Sequence, residues 1–461
     1  MNAPPRQISL EEWTARHAEL KGRGLVEPWY GGPLHRHVET GGDLRLRHLR
    51  FDNSAAALRL WNFLLSEEDR LRESRAAGKK LVGAMKDLGT VPVMAYASAR
   101  LVAFYPDGAW WIPCVMEFSD GLLRAADALG IDESFCPVRA LLGAFLTEAH
   151  FPRPDLLTCS VGATCDDFSA IAQRLEALGH RILWWEMPHR RRPSTNESAI
   201  ELPGGFTAPQ AQVSFVRGEL ERVRRKLAEL AGEPLEDAAL AAGIRAANHV
   251  RSLLKQLRHQ VFSAPICPLP ALEMLIAEML ALHFCSDREE TGRVLEALID
   301  TVRRRCDLQE GALAADAARI FWVNPVADLR AMNALEECGG RICGTEYLFC
   351  HALDAIPEHL PPLEALARIA LADPMAGSAA DRAARVCADM RAWDAEALII
   401  SRIPGASHCA WEGQVIRHQV ELRLGRPVLE IEVPCVCDAL LPTLRSRMKA
   451  LVETVRRRRA R

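Results

Sequence analysis

Fourteen cysteines punctuate this 461-residue chain. A thiol can pack as a small apolar group, react as a thiolate or ligate a metal. The opening residues MNAPPRQISLEEW lack the apolar core of a secretory leader, so a cytoplasmic location is expected. Disulfides are rare there, and the cysteines need another account. Three stand at positions where chemistry is common. Cys136 precedes Pro137, a residue favoured in the first turn of a helix, where amide dipoles stabilise a thiolate. Cys165 follows a strand expected at Leu156–Val161 and precedes a helix expected from about Asp167. Cys409 follows a strand expected at Ala397–Ile403 and precedes a helix expected from about Glu412. Ligands of open α/β sheets bind beyond the carboxyl ends of the strands. Three thiolates converging there from two units would suit an iron–sulfur cluster with one iron left open. Their spacing matches no compact ferredoxin pattern, and burial in strand-end loops is the plainer alternative.

Other candidates read more simply. Cys159 belongs on the same strand as the approach to Cys165. Cys435 and Cys437 form a CxC with no second pair at zinc-finger spacing. Cys338, Cys343 and Cys350-His351 read as core around a helix end and a strand. His408, beside Cys409, could donate a proton to a reduced substrate, although a histidine there commonly satisfies a loop hydrogen bond. The arginine runs at 190–192 and 456–459 read as solvated faces or a tail.

The elements that must position these residues alternate between strand and helix. Strand-like runs at 101–105, 156–161 and 181–187 are interleaved with helical patterns near 120–129 and 167–178. Val216, Leu220, Val223, Leu227 and Leu230 fall on one helix face and open a helical stretch that continues over 238–262 and 271–305. Strands are then expected at 319–323, 340–347, 397–403 and 428–433, with helices near 327–338, 380–392, 411–424 and 438–455. The expected class is α/β: two Rossmann-like parallel-sheet domains joined by a helical segment. The expected boundaries are 1–85 for a partly helical lead, 86–210 for the first α/β domain, 211–310 for the helical segment and 311–461 for the second.

Composition narrows the function. With 57 basic and 60 acidic residues the formal charge is −3, which argues against a nucleic-acid partner. The most apolar long stretch, 269–285, carries Glu273 and Glu278, so no membrane span is expected. GxGxxG after a strand, GxxxxGK[ST], GxSxG and HExxH are all missing.

At the three cysteines a family likeness emerges. The segment ALGIDESFCPVRALLGAF, then PRPDLLTCSVGATCDDFSAIAQRLEALGHRILWWEMP, resembles the 2-hydroxyacyl-CoA dehydratase and benzoyl-CoA reductase family. Later segments follow in the family's order: RIFWVNPVADLRAMNALEECGGRI, LIISRIPGASHCAWEG and GRPVLEIEVP. The resemblance covers roughly residues 90–455. It implies an iron–sulfur subunit of the D-component type, with a [4Fe-4S] cluster between two Rossmann-like domains. It carries the cluster ligands onto Cys136, Cys165 and Cys409. It also implies a paralogous second subunit, an acyl-CoA substrate and a separate ATP-hydrolysing iron–sulfur activator, in keeping with the missing phosphate loop.

Three departures shape the expectation. The family's Pro-x-Glu near the first strand, which in one dehydratase subunit reaches the cluster iron, is Pro92-Val93-Met94 here. The usual acidic end after the last strand is replaced by Pro434-Cys435-Val436-Cys437-Asp438. The N-terminal lead is long. The expected function is therefore the iron–sulfur subunit of an ATP-dependent aromatic acyl-CoA (benzoyl-CoA type) reductase using one-electron radical chemistry. Rival readings are a 2-hydroxyacyl-CoA dehydratase subunit, a double-cubane-cluster reductase of small molecules, and a non-catalytic partner subunit.

Overall fold

The computed structural model describes residues 4–13, 15–16, 48–87, 89–107, 119–148, 151–282, 286–435 and 438–461, without the side chains of 65, 119–121, 147 and 407–411. A short antiparallel ribbon pairs β1 (Gln7–Ile8) with β2 (Phe51–Asp52). The first sheet comprises β3 (Lys80–Met85), β4 (Leu101–Phe104), β5 (Leu156–Gly162) and β6 (Ile182–Met187), all parallel, in the order β4-β3-β5-β6. A second ribbon joins β7 (Ala199–Glu201) to β8 (Thr207–Pro209). The second sheet comprises β9 (Ala318–Val323), β10 (Gly340–Glu346), β11 (Ala397–Arg402) and β12 (Val428–Glu432), parallel in the order β10-β9-β11-β12. The two sheets thus repeat one topology, with helices as crossovers. This is the doubly wound α/β class expected from the sequence.

Three details differ from the sequence reading. Lys80–Met85, within the segment read as a lead, is a central strand of the first sheet. Its short apolar run is broken by Gly83 and follows two lysines, which hides it. The helix read over 271–305 is two helices, Ala271–Met279 and Arg288–Asp307. The helix read from about 411 begins at Ser407, so the backbone of Cys409 lies in its first turn and not in a loop.

The central strands are apolar throughout because both faces are covered. On β9, Ile320 and Trp322 join the large core that runs through both units, while Phe321 and Val323 join a smaller cluster under the helices Ala379–Ala392 and Ser407–Leu424. The long helix Asp237–Ser263 packs on the short helix Val91–Ala95 of the first unit and on β10 of the second. Its last carbonyls are met by cations, as a helix C-terminus favours. Arg341 donates to the carbonyls of Val261 (3.0 Å) and Ala264 (2.9 Å), and Arg319 donates to Phe262 (2.7 Å).

The N-terminal region is anchored by buried polar groups. Arg305 forks onto Asp52 at 2.7 and 3.1 Å, and Glu273 accepts from the Asp52 amide (2.9 Å) and the Trp61 indole (3.1 Å). Burial and the neighbouring Asp52 charge push the Glu273 carboxyl up to about 8. In the unfolded chain it ionises near its ordinary 4.5. The folded state therefore holds the extra proton between these values, and this group's contribution is lost as pH rises from about 4.5 through about 8. Glu273→Gln keeps the acceptor and removes the titration. Its melting temperature relative to the parent is expected to improve from pH 5 to pH 8.5. An equal difference at both pH values would show that Glu273 is not held protonated.

Candidate functional site

In each sheet the chain reverses its winding between the two central strands, which places a crevice beyond their carboxyl ends. The two crevices are built alike. After β3, Lys86 takes a left-handed backbone (φ 54°), and the Ser160 hydroxyl of β5 donates to its carbonyl at 2.6 Å. After β9, Asn324 does the same (φ 65°), and the Ser401 hydroxyl of β11 lies 2.9 Å from its carbonyl. The loop leaving β5 continues with positive φ at Gly162 (99°) and Thr164 (77°). For a β-branched residue this conformation costs on the order of 1–3 kcal/mol, and such outliers concentrate at functional sites. The next residue is Cys165.

Cys165 occupies the N-cap position of the helix Asp166–Ala177, and Cys136 the N-cap position of the 3-10 turn Pro137–Arg139. Both are buried. One carboxylate joins them. Asp167 Oδ1 accepts from the Cys136 amide at 3.4 Å, and Oδ2 lies 3.5 Å from Cys165 Sγ as acceptor of the thiol proton. Burial and the Asp167 charge push the Cys165 thiol well above the ordinary thiol range. The second unit closes on the same point. Gly405 (φ 80°), in the loop leading to Cys409, lies so close that an added Cβ would overlap the Phe135 carbonyl and come within 2.9 Å of the Cys136 amide nitrogen. The helix Ser407–Leu424 packs against Asp166–Ala177.

A buried ionic chain braces this helix. Arg382, with a side chain only 1% exposed, donates to Glu346 at 2.6 and 2.7 Å, to Asn324 Oδ1 at 2.7 Å, and to Glu412, which lies within the first two turns. His351 joins Glu346 (2.5 Å) to Asp373 (2.9 Å). Burial opposes charge on both groups, yet Arg382 and His351 hold Glu346 down to about 2, and Glu346 and Asp373 lift His351 to about 9. Neither Arg382 nor Glu412 carries a sequence signal. Each is one of several charged residues on its helix, and nothing local marks it out.

The remaining candidates divide cleanly. Cys159 lies on β5, fully buried, opposite Met85 and Trp184. Cys343 is within β10, Cys350 is wrapped by Arg258 and Thr345, and the half-buried Cys338 lies 3.4 Å from the Arg445 carbonyl. Cys435 is buried after β12, whereas Cys437 lies outside the described residues. The side chains of His408 and Cys409 also lie outside them. The arginine runs are not simply solvated. Arg190 is buried and donates to the carbonyls of Leu371 (2.7 Å) and Asp373 (3.1 Å), tying the first unit to the second, and Arg459 pairs with Glu396. Both runs sit where carbonyls or acids of a neighbouring element remain to be satisfied.

The structure therefore brings Cys136 and Cys165 together and sets the backbone before Cys409 against them. Among the described residues no three His, Cys, Asp or Glu side chains form a metal-binding group. The described donors suit a thiolate-held cluster all the same: two thiols at helix starts, shielded from water, facing the backbone that leads to Cys409. Among the described residues no helix is long and apolar enough to cross a membrane. Residues 90–455 match the family model described as 2-hydroxyglutaryl-CoA dehydratase, D-component. No curated protein matches the sequence.

The close approach at Gly405 yields a direct test. Gly405→Ala must relieve both an overlap with the Phe135 carbonyl and a left-handed backbone, at a cost of about 1–3 kcal/mol. Denaturant unfolding should show a loss of that size. A change below about 0.5 kcal/mol, the usual range for an unconstrained surface site, would mean that the two units do not meet there.

Proposed function

The chain belongs to the 2-hydroxyglutaryl-CoA dehydratase D-component family, and from that membership we propose that it is the iron–sulfur subunit of an acyl-CoA enzyme working by one-electron chemistry. Cys136, Cys165 and Cys409 would hold a [4Fe-4S] cluster. The observation that carries this reading is the meeting of Cys136, Cys165 and the Gly405 backbone around Asp167. Bound there, the cluster would supply low-potential electrons one at a time to an acyl-CoA thioester.

The chain's own residues do the rest. Without a metal, burial and Asp167 keep Cys165 a thiol. That proton would leave on ligation, and the helix-start amides at Cys136 and Cys165 would then stabilise the bound thiolates. Asp167 orients both positions. The Arg382–Glu412 pair holds the helix that bears Cys409. His408 adjoins Cys409 and is the candidate proton donor to a reduced substrate.

Reduction of an aromatic, benzoyl-CoA type thioester is the reaction we favour. Met94 replaces the carboxylate of the family's Pro-x-Glu, and it is fully buried in the apolar helix Val91–Ala95. The family's description favours the second reading, elimination of water from a 2-hydroxyacyl-CoA by the same radical chemistry. In either case a paralogous subunit and an ATP-hydrolysing activator would complete the enzyme.

Anaerobically purified protein is expected to carry about four irons per chain. Cys409→Ser should lose most of the iron and the cluster's electron paramagnetic resonance signal, and Cys136→Ser and Cys165→Ser should do likewise. Cys338→Ser should leave both unchanged, at a packing cost within about 1–3 kcal/mol. Full iron and an unaltered spectrum in Cys409→Ser would overturn the ligand assignment. The chain alone should not hydrolyse ATP. Turnover at an enzymatic rate without an added activator would remove the division of labour.

A further inference from the structure

Among the described residues, several buried cations keep close acidic partners, while the buried Arg341 is met instead by the carbonyls of Val261, Ala264 and Pro265 at 3.0, 2.9 and 3.2 Å. Arg382 meets Glu346 at 2.6 Å, Arg305 meets Asp52 at 2.7 Å and Arg330 meets Asp328 at 2.6 Å. Lys86 differs. Its side chain is 1% exposed, yet among the described residues the nearest carboxylate oxygen, on Asp166, is 4.0 Å away and belongs to a side chain that is 88% exposed. Among the described residues its ammonium otherwise reaches the Ser169 hydroxyl (3.3 Å) and the Gly162 carbonyl (3.5 Å). Those contacts place it beneath the loop that carries Cys165, between the ends of β3 and β5. The groups whose charge it feels there are Cys159, Asp166 and Cys165. The backbone is committed to this placement by the left-handed φ of 54° that Ser160 holds.

A buried ammonium without a close counter-charge costs several kcal/mol. At the equivalent place in the second unit the residue is the neutral Asn324, and the cation beside it, Arg382, is already matched by Glu346 and Glu412. Among the described residues the acid closest to this ammonium is the exposed Asp166, so the first unit's crevice holds a poorly matched positive charge. An occupant of net negative charge would match it.

We propose that Lys86 is a positioning residue that supplies the fixed positive charge against a thiolate-ligated cluster at Cys165 and sets its reduction potential. This rests on the cluster reading above. A fixed cation near a cluster stabilises the reduced, more negative state and raises the potential, and burial protects the effect from salt screening. Lys86 need not ligate iron or touch substrate. Its removal should move the potential while leaving the iron in place.

The test uses the full chain, purified anaerobically as parent, Lys86→Met, Lys86→Gln and Lys86→Arg, with iron counting and a redox titration followed by electron paramagnetic resonance. The two neutral variants are expected to retain iron and to lower the equilibrium constant for reduction about tenfold, which is about 59 mV for one electron. Lys86→Arg should titrate closer to the parent. Iron-loaded neutral variants with the parent's potential would overturn the proposal. If the neutral variants lose iron and Lys86→Arg keeps it, the charge is needed even to hold the cluster, and the proposal stands. Loss of iron from all three folded variants would show a need for lysine's shape and would overturn it. A parent chain without iron would instead overturn the cluster reading itself, a result recognisable before any variant is made.

Discussion

The backbone of Gly405 lies against the carbonyl of Phe135 and the amide of Cys136 with no room for a side chain. The rest of the architecture depends on this approach. It sets the entrance to one switch point against the exit of the other, so residues from two separately folded sheets can share one site. Two other regions secure the arrangement. The helix Asp237–Ser263 touches both units, and Arg190 crosses from the first to the carbonyls of the second. Non-covalent domain contacts ordinarily allow relative motion. Here a backbone contact without side-chain slack and a buried guanidinium both work against it.

The repeat of topology gives the site its internal logic. Ser160 and Ser401 each satisfy the carbonyl of a left-handed residue at the end of a central strand, and Cys165 and Cys409 each begin the helix after the next strand. The same backbone solution therefore appears twice, with different side chains on it. In the second unit the space is filled by Asn324, Arg382, Glu346 and Glu412, which satisfy one another. In the first unit the strained Thr164 and the poorly matched Lys86 remain. Strain and unmatched charge persist only where the surrounding structure enforces them.

Much of this could be read from the residues, and the remainder was hidden for identifiable reasons. Buried parallel strands are short apolar runs, so seven of the eight sheet strands were legible near their observed positions, β5 and β9 most clearly. Strand β3 was obscured by Gly83 and its flanking lysines. Cys165 was legible because an apolar strand, a glycine and an acidic helix start bracket it. The start of the helix at Ser407 was not, since Ser-His-Cys has no helical apolar period. Pairings such as Asp167 with Cys136, or Arg382 with Glu412, join residues 31 and 30 positions apart through the fold and leave no local trace.

The division of labour between the units follows from how each satisfies its polar groups. Cys136 and Cys165 belong to one unit and already share Asp167, so that half of the site is formed by local folding. The second unit contributes a helix start braced from behind by Glu412, Arg382, Glu346, His351 and Asp373. That chain of charges braces the facing wall through bonds among its own members. A site made this way resembles a preformed half and a rigid cover more than two equal jaws. The poorly matched Lys86 lies in the preformed half, and the self-satisfied ionic chain lies in the cover.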